Sequence, residues 1–416
     1  MSRKARLCTP LHPNTVAIGV DVAKETFEAR ALSSDGRLGK RLRFRCDQAG
    51  FESLKAYCEA STASLDGADF VVAMEPTGHY GEPLARWLMD RAVVVRSVSP
   101  LLTARSKELY DGTTRKTDEK DAKVIADLCR RGLSKPWRRL MGPFADLRVF
   151  SRQREQLVKR RSQLQNRVQG QLDVLFPELR GLFPKLFSVT ALWLLSLAPT
   201  PAKVLELGAG PLAGGLKAAS RGQLGVARAE ALMEAAERSV GIPDGVAARE
   251  FVLRQFLAEL ASVQAQVSAV EAAMEAALLQ VPYGRRLLTV PGLGVVSVAT
   301  IIGETGDLRD YRVAKQVLKM VGLDLVEASS GAKDGHRHIS RRGRRYARQM
   351  LYMVALKAGA GALAARRARI VGRGTPPKKA AVANMCALVR ILFALARDDA
   401  DFDASQHAAP EVPMAA

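Results

Sequence analysis

Length, composition and charge exclude several classes of protein. The chain has 416 residues, of which 48% are hydrophobic and 25% charged, as is typical of a globular protein with two or three domains. No apolar run approaches the roughly 18 to 20 residues that a membrane-spanning helix needs, and the basic N-terminus is not followed by the apolar segment of a secretory signal. The five cysteines are scattered without a CxxC pair, which favours reduced thiols and a cytoplasmic protein.

The charge points to a polyanionic partner. Lys and Arg number 63 against 42 Asp and Glu, a net charge of +21, and such a field favours nucleic acid. Residues 331–380 contain fourteen Lys or Arg and one acid. Six arginines in this segment are the candidate phosphate contacts: Arg337, Arg341, Arg342, Arg344, Arg345 and Arg348. We expect Arg341, Arg344, Arg345 and Arg348 to share one helical face.

From residue 14 to about 98, strand patterns and helix patterns follow one another. Strands are predicted at Thr15–Asp21, Thr26–Leu32, Arg41–Cys46, "DFVVAMEPTG" and "AVVVRSVSP", and helices at "QAGFESLKAYCEA" and "HYGEPLARWLMDR". "SSDGR" marks a hairpin turn between the second and third strands. Three strands, a helix and then alternating strands and helices predict an α/β domain with a mixed sheet of the ribonuclease-H-like kind.

The middle of the chain has two heptad-like seams. One runs from Leu147 to Leu172 with arginines at two core positions, on a helix that also has a basic face, and the other runs from Leu253 to Leu278. These patterns predict either a coiled-coil arm, formed within the chain or between subunits, or core helices of a helical domain. Residues 186–247 carry no motif, and the last twenty residues are typical of a disordered tail.

Four acids form the first candidate catalytic set. Asp21 and Glu75 each end an apolar strand, and Asp118 and Asp121 lie three residues apart at the start of a predicted helix. Two carboxylates about 4 Å apart repel by roughly 4 kcal/mol at an effective dielectric near 20, so a converging set needs a cation, and oxygen ligands suit Mg²⁺ or Mn²⁺. Taken singly, Asp21 is also consistent with a turn, Glu75 with a helix cap, and the Asp pair with charges that offset the helix macrodipole. Lys24 is a candidate phosphate contact or an exposed lysine.

The C-terminal region holds a second constellation. "VPGLGVVSVATII" has the turn of a helix-hairpin-helix, in which the backbone N–H groups at Gly292 and Gly294 can hold a phosphate, although an ordinary turn between two helices has the same pattern. The segment "EASSGAKDGHRHISRRGRR" places Ser329 and Ser330 in a Gly-rich loop before the arginines. Such a serine usually belongs to an ordinary loop.

Three motifs together resemble the IS110/IS1111 family of transposases over nearly the whole chain. "GVDVAKETFEA", "AMEPTGHYGEPLARWL" and "KTDEKDAKVIADL" resemble the RuvC-like DEDD domain of that family. "REQLVKRRSQLQNRVQGQLDVLFPEL" resembles its coiled-coil arm, and "TVPGLGVVSVATIIGETGDLRDYRVAKQVLKMVGLDLVEASSG" its C-terminal transposase domain. The resemblance implies a DNA recombinase that excises and inserts its own element, guided by a structured RNA. It places the acidic set on Asp21, Glu75, Asp118 and Asp121, and the nucleophile on Ser330 with Ser329 as an adjacent competitor.

The resulting expectations are specific. We expect a RuvC-like domain at 1–140, a helical coiled-coil region at 141–280, a mostly helical C-terminal domain with a helix-hairpin-helix at 281–396, and a disordered tail at 397–416. The expected partners are DNA (element ends and target), a structured guide RNA, and further copies of the chain in a dimer or tetramer. Two alternatives remain: a metal-dependent junction nuclease of the RuvC type without serine chemistry, and a non-enzymatic nucleic-acid-binding protein.

Overall fold

The chain forms two compact units. A computed structural model describes residues 10–65, 69–76, 78–111, 118–327, 337–357 and 362–404. The units are Met1–Arg139 and Leu140–Ala416. The first contains the large sheet, and the second is mostly helical.

A six-stranded mixed sheet organises the N-terminal unit. Its elements in chain order are β1 (Thr15–Asp21), β2 (Thr26–Leu32), β3 (Leu38–Arg45), α1 (Gln48–Ser64), β4 (Asp69–Met74), α2 (Gly81–Met89), β5 (Val95–Val98), α3 (Pro100–Asp111), α4 (Asp118–Arg130) and β6 (Ser134–Pro136). The strand order is β3-β2-β1-β4-β5-β6. β1, β4 and β5 are parallel, whereas β2, β3 and β6 join by antiparallel pairing. The predicted α/β domain with a mixed sheet is confirmed.

Both faces of β1 are covered by helices, which explains its uninterrupted apolar sequence. Val16, Ile18 and Val20 enter a core with α1 and α2, while Ala17 enters a second core with α4. Burying each of the three larger side chains contributes about 1.5 to 3 kcal/mol. β1 is therefore a central strand whose ends are fixed relative to the helices on both faces.

The second unit contains thirteen helices and one hairpin among its described residues. They are α5 (Pro143–Leu175), α6 (Leu179–Leu182), α7 (Val189–Leu197), α8 (Pro201–Leu207), α9 (Ala209–Ala219), α10 (Val226–Glu237), α11 (Val246–Leu279), α12 (Gly284–Leu288), α13 (Val295–Thr305), α14 (Ala314–Met320), β7 (Leu325–Glu327), β8 (Arg337–Ile339), α15 (Arg345–Lys357), α16 (Ala362–Gly372) and α17 (Pro377–Asp398). A short 3₁₀ turn, Leu308–Asp310, follows α13.

The two long helices, α5 and α11, pair with each other within the chain. Their shared seam consists of Leu157, Leu164, Leu260, Val263 and Val267. The start of α5 packs with the end of α11, and the end of α5 with the start of α11, so the pair is antiparallel. The two core-position arginines have partners across the seam: Arg154 reaches Glu271 at 2.7 Å and Arg161 reaches Gln264 at 3.1 Å. The intramolecular alternative is thus the one observed, and supercoiling of the pair stays a prediction.

Small helices enclose one end of this pair. Residues 186–247, which carry no sequence motif, form α7 to α10 around a core with Val168, Leu172 and Leu253 of the long helices. This segment is therefore a helical cap on the α5/α11 pair.

One helix corrects the expectation from hydropathy. α17 is long and apolar enough to span a membrane by length and composition, and it is the one such helix among the described residues. Its own Leu388, Leu392 and Phe393 are buried in the core of the second unit, and 61% of its most apolar 18-residue stretch is buried. Burial inside the protein, with arginines interrupting the run, explains its composition as that of a core helix.

Candidate functional site

Asp21 and Glu75 lie at the same edge of the sheet. β1 and β4 are parallel neighbours, with Val20 paired to Met74, so Asp21 and Glu75 follow on the next rung. Neighbouring strands lie about 4.8 Å apart. Both residues are half-buried, and carboxyl ends of adjacent parallel strands are the usual place for a site in a sheet of this type.

Helix α4 brings the third acid to this edge because Gly19 allows a close approach. A β-carbon added at Gly19 would lie 2.0 Å from the Ala122 carbonyl oxygen and 2.5 Å from the Ala126 nitrogen. The helix runs against the strand, since the Leu11 N–H before β1 donates to the Arg130 carbonyl at the end of α4. The start of α4 therefore lies at the carboxyl end of β1, and Asp121, only 6% exposed, lies in its first turn.

Asp118 begins α4, but its side chain lies outside the described part of the chain. Within the described residues, no group of three or more His, Cys, Asp or Glu side chains is close enough to hold a metal ion. The structure thus brings Asp21, Glu75 and Asp121 to one edge of the sheet without gathering them around one point. Their oxygens are the donor type that Mg²⁺ and Mn²⁺ prefer.

Glu28 is an acid at this edge that the sequence reasoning missed. It pairs directly with Asp21 across β1 and β2 and is only 5% exposed. One carboxylate oxygen accepts a hydrogen bond from Arg41, and Oε2 is buried without a hydrogen-bond partner among the described residues. A buried carboxylate oxygen that lacks a donor is costly, and an oxygen of this kind suits a cation. The sequence feature that could have indicated Glu28 is the alternation in "TFEARAL". In this strand Phe27 and Ala29 face one core, and Glu28 faces the opposite side of the sheet.

The serine candidates, Ser329 and Ser330, lie outside the described residues. They fall between β7 and β8, which form an antiparallel pair. The base of this pair is held where the Ser340 N–H donates to the Asp324 carbonyl at 2.8 Å and the Ser340 hydroxyl bonds the Asp324 carboxylate.

The predicted phosphate turn connects a short helix to a longer one. Gly292, between α12 and α13, has φ of 86°, in the left-handed region that favours glycine. Gly294 is the N-cap of α13, and its carbonyl accepts bonds from Ser297 and Val298 at 3.0 and 3.1 Å. No side chain caps this end of α13. The helix-hairpin-helix role remains a prediction.

The expectation that four arginines share one helical face is wrong. α15 begins at Arg345, so Arg341 and Arg344 lie in the preceding turn. The turn is set by Gly343, whose φ is 136° and whose added β-carbon would lie 2.2 Å from the Met320 carbonyl oxygen. Close packing against α14 stops the helix from extending further towards the N-terminus.

Two of these arginines bind groups inside the protein. Arg344 faces Glu304, which is 1% exposed, at 3.8 Å. Arg348 donates to the Val321 carbonyl at 2.9 Å, and its burial, with the nearby arginines, lowers its pKa. The freely exposed candidates are Arg341, Arg342, Arg345 and Lys24. Arg337 begins β8, and its side chain is outside the described part.

The basic face of α5 is largely used within the unit. Arg152 bonds Glu304 at 3.1 Å, Lys159 pairs with Glu155 at 3.3 Å, and Arg160 pairs with Glu259 of α11. Because these acids offset the helix charge, α5 presents a weaker positive field than its sequence indicates.

Comparisons with known proteins match both units. A DEDD transposase model of the IS110 type matches residues 18–177, and a model described as "Transposase IS116/IS110/IS902 family" matches residues 284–369. The chain is 26% identical over 405 residues to the "Insertion element IS110 uncharacterized 43.6 kDa protein" of Streptomyces coelicolor, covering 95% of this chain and 98% of the relative. It is 26% identical to the "Insertion element IS116 uncharacterized 44.8 kDa protein" of Streptomyces clavuligerus, over 81% of this chain and 83% of the relative. It is also 30% identical to the "Pilin gene-inverting protein" of Moraxella bovis, over 35% of this chain and 45% of the relative.

Proposed function

Because the chain belongs to the IS110 family of insertion-element transposases, we propose that it cuts and rejoins DNA through the acidic edge of its sheet and Ser330. It is a DNA transposase or recombinase, and DNA is therefore its partner. We assign metal-assisted cleavage to residues 1–140, an arm to 141–280 and the serine and further DNA contacts to 281–396, followed by a tail at 397–416.

The observation that carries this proposal is the placement of the acids. Asp21 and Glu75 end adjacent parallel strands, and Asp121 lies at the start of the helix that packs on the same face of β1. Acids concentrated at one end of the sheet destabilise the folded protein because like charges repel. A bound divalent cation offsets this repulsion and can also bind a phosphate, so we assign metal binding to these acids.

A DEDD domain implies dependence on divalent metal, and the carboxylate oxygens at this end of the sheet are the donor type that such an ion prefers. Asp21, Glu75, Asp118 and Asp121 would hold Mg²⁺ or Mn²⁺, and the buried Oε2 of Glu28, on the strand paired with Asp21, would offer a further oxygen ligand. Bound there, the metal supplies charge stabilisation for the phosphate and for the departing oxygen.

Ser330 would perform the strand exchange. Its Oγ attacks phosphorus and loses its proton, a serine–phosphate bond forms, and the bond between phosphorus and a deoxyribose oxygen breaks. The departing oxygen takes up a proton and becomes a free hydroxyl. Because one phosphoester replaces another, the bond energy is kept, and attack by a DNA hydroxyl on the phosphoserine rejoins a strand and releases the serine.

The finer parts of the proposal concern assembly and guidance. The protein would act as a dimer or tetramer of identical subunits. A structured RNA from the element would select the DNA. Cutting would then wait for the complete assembly.

A test of the whole proposal uses the element ends, Mg²⁺ and the flanking transcript, followed by a denaturing gel. We expect protein-linked DNA from the native chain and from Ser329→Ala, and none from Ser330→Ala or Asp21→Asn. Omitting the transcript should remove the adduct as well.

Other outcomes would support the alternatives. If Ser330→Ala still hydrolyses DNA at the native rate, the protein is a metal-dependent nuclease of the junction-cutting kind. If Asp21→Asn and Glu75→Gln leave every activity intact, it is a nucleic-acid-binding protein without catalysis at this edge.

A further inference from the structure

We propose that β3, an outermost strand of the sheet, binds the phosphate backbone of the DNA that reaches Asp21, Glu75 and Asp121. Its contacts would be Arg41, Arg43 and Arg45, which we call the β3 arginine row. This inference rests on the proposed function, since it assigns a path for DNA to the same acids. The most basic segment of the sequence, residues 331–380, is a different part of the chain.

The three arginines share one face of the sheet. β3 pairs with β2 so that Arg45 lies opposite Thr26, Arg43 opposite Glu28, and Arg41 opposite Arg30. The alternate residues of the strand, Leu42 and Phe44, pack on the other face with the core of α1 and α2. Since side chains alternate along a strand, the arginine row lies on the face that carries Asp21 and Glu28.

The arginine side chains of the row are exposed to solvent. Two of them, Arg43 and Arg45, make only weak contacts with other side chains of the protein. β3 ends the sheet. The Arg45 side chain is 81% exposed and lies 3.8 Å from the exposed carboxylate of Asp47. Arg43 has a 3.4 Å bond to the Thr26 hydroxyl and no carboxylate partner among the described residues. An exposed ion pair contributes about 0 to 1 kcal/mol, so a phosphate can replace these contacts. Arg41 is held by Glu28.

The arginine row is two strands away from Asp21 across the sheet. Asp21 pairs with Glu28, and Glu28 pairs with Arg43, so one rung crosses three strands. At about 4.8 Å for each strand, Arg43 lies roughly 10 Å from Asp21 between backbones. Successive arginines of the row are about 7 Å apart along the strand, a separation similar to that of neighbouring phosphates in a nucleic-acid strand. A nucleic-acid strand that follows the row would therefore pass within roughly 10 Å of Asp21.

A second explanation for basic residues on an edge strand is protection from pairing with other chains. That role requires positive charge but no bound nucleic acid. It predicts that removal of the row causes self-association and leaves the salt dependence of DNA binding unchanged. The two explanations are thus separable by one measurement.

The experiment measures binding of labelled element-end duplex DNA by fluorescence anisotropy between 50 and 200 mM salt. The full chain carries Asp21→Asn, so that cutting does not interfere. We expect Arg43→Ala with Arg45→Ala to make the log–log salt slope shallower by about 1.8, at 0.9 for each lost phosphate contact on duplex DNA. The ratio of the affinities at 50 and 200 mM should fall by roughly 12-fold.

A matched control replaces two exposed cations elsewhere in the same unit. Arg86, 71% exposed, and Lys55 each lie 3.6 Å from an acid one helical turn away. Arg86→Ala with Lys55→Ala should leave the slope unchanged. Arg43→Lys with Arg45→Lys keeps the charge and should keep the slope, which would show that the slope depends on the positive charge of the row.

Three results would overturn the inference: an unchanged slope in the row variant, an equal change in the control, or a change seen with the flanking RNA transcript but not with DNA. The last would assign the row to RNA. Because binding is measured in the absence of cutting, none of these results bears on whether Ser330 is the nucleophile.

Discussion

Replacement of Gly19 by alanine tests the packing that places Asp121 beside β1. A β-carbon at this position would lie 2.0 Å from the Ala122 carbonyl oxygen, whereas ordinary contacts begin near 3.4 Å. The helix would have to move by about 1.4 Å, because the atoms it meets are backbone and cannot rotate away. Overpacking against backbone should cost about 3 kcal/mol, at the upper end of the usual range.

The expected results follow from that displacement. A loss of about 3 kcal/mol lowers the Tm of a domain of this size by roughly 10 °C, which circular dichroism can measure. Amide hydrogen exchange in α4 should accelerate, since the helix loses its contact with β1. If Asp121 is catalytic as proposed, a shift of about 1 Å should slow DNA cleavage on the order of 100-fold.

Gly170→Ala is the matched control. Gly170 lies in α5, and a β-carbon added there meets nothing within 4 Å. Alanine should stabilise that helix by up to about 1 kcal/mol. A Gly19→Ala protein with native Tm, native exchange in α4 and native cleavage would refute the close seating of α4 on β1.

Two further predictions concern buried groups. Glu304→Gln should lower the free energy of unfolding by about 1.5 to 3 kcal/mol, measured by urea denaturation, because it removes the buried acid shared by the partly exposed Arg152 and Arg344. Burial raises the pKa of the Cys58 thiol from 9.0 to about 12, so Cys58 should resist alkylation at pH 8 in the folded protein while exposed Cys46 reacts. Because the folded pKa is the higher one, the stability that Cys58 contributes is complete below pH 9 and should be lost as the pH rises from 9 towards 12.

The controls for these predictions are simple. Glu234→Gln breaks an exposed pair with Arg238 at 3.0 Å and should change the free energy of unfolding by less than about 1 kcal/mol. A similar cost for Glu234→Gln and Glu304→Gln would contradict the importance of burial. Equal alkylation rates for Cys46 and Cys58 in the folded protein would show that the Cys58 thiol is accessible.

Local pattern alone predicted five of the six strands of the sheet, all except β6, and singled out two of the acids. The period-2 and apolar runs predict β1, β2 and β4, and Asp21 and Glu75 stand out because each follows a buried run. These features are local, because the alternation of buried and exposed side chains along a strand is visible within a few residues of sequence. The motif resemblance added the assignment of Ser330 as the nucleophile.

Only the tertiary structure decided which charges have partners inside the protein. The sequence predicts that Arg344 and Arg348 contact phosphates. In the structure Arg344 faces Glu304, and Arg348 donates to the Val321 carbonyl. Glu28 gained importance only when its strand was paired to Asp21. An ion pair depends on which distant elements pack together, and a sequence pattern reports a residue's own periodicity but not its neighbours across a sheet or a helix pair.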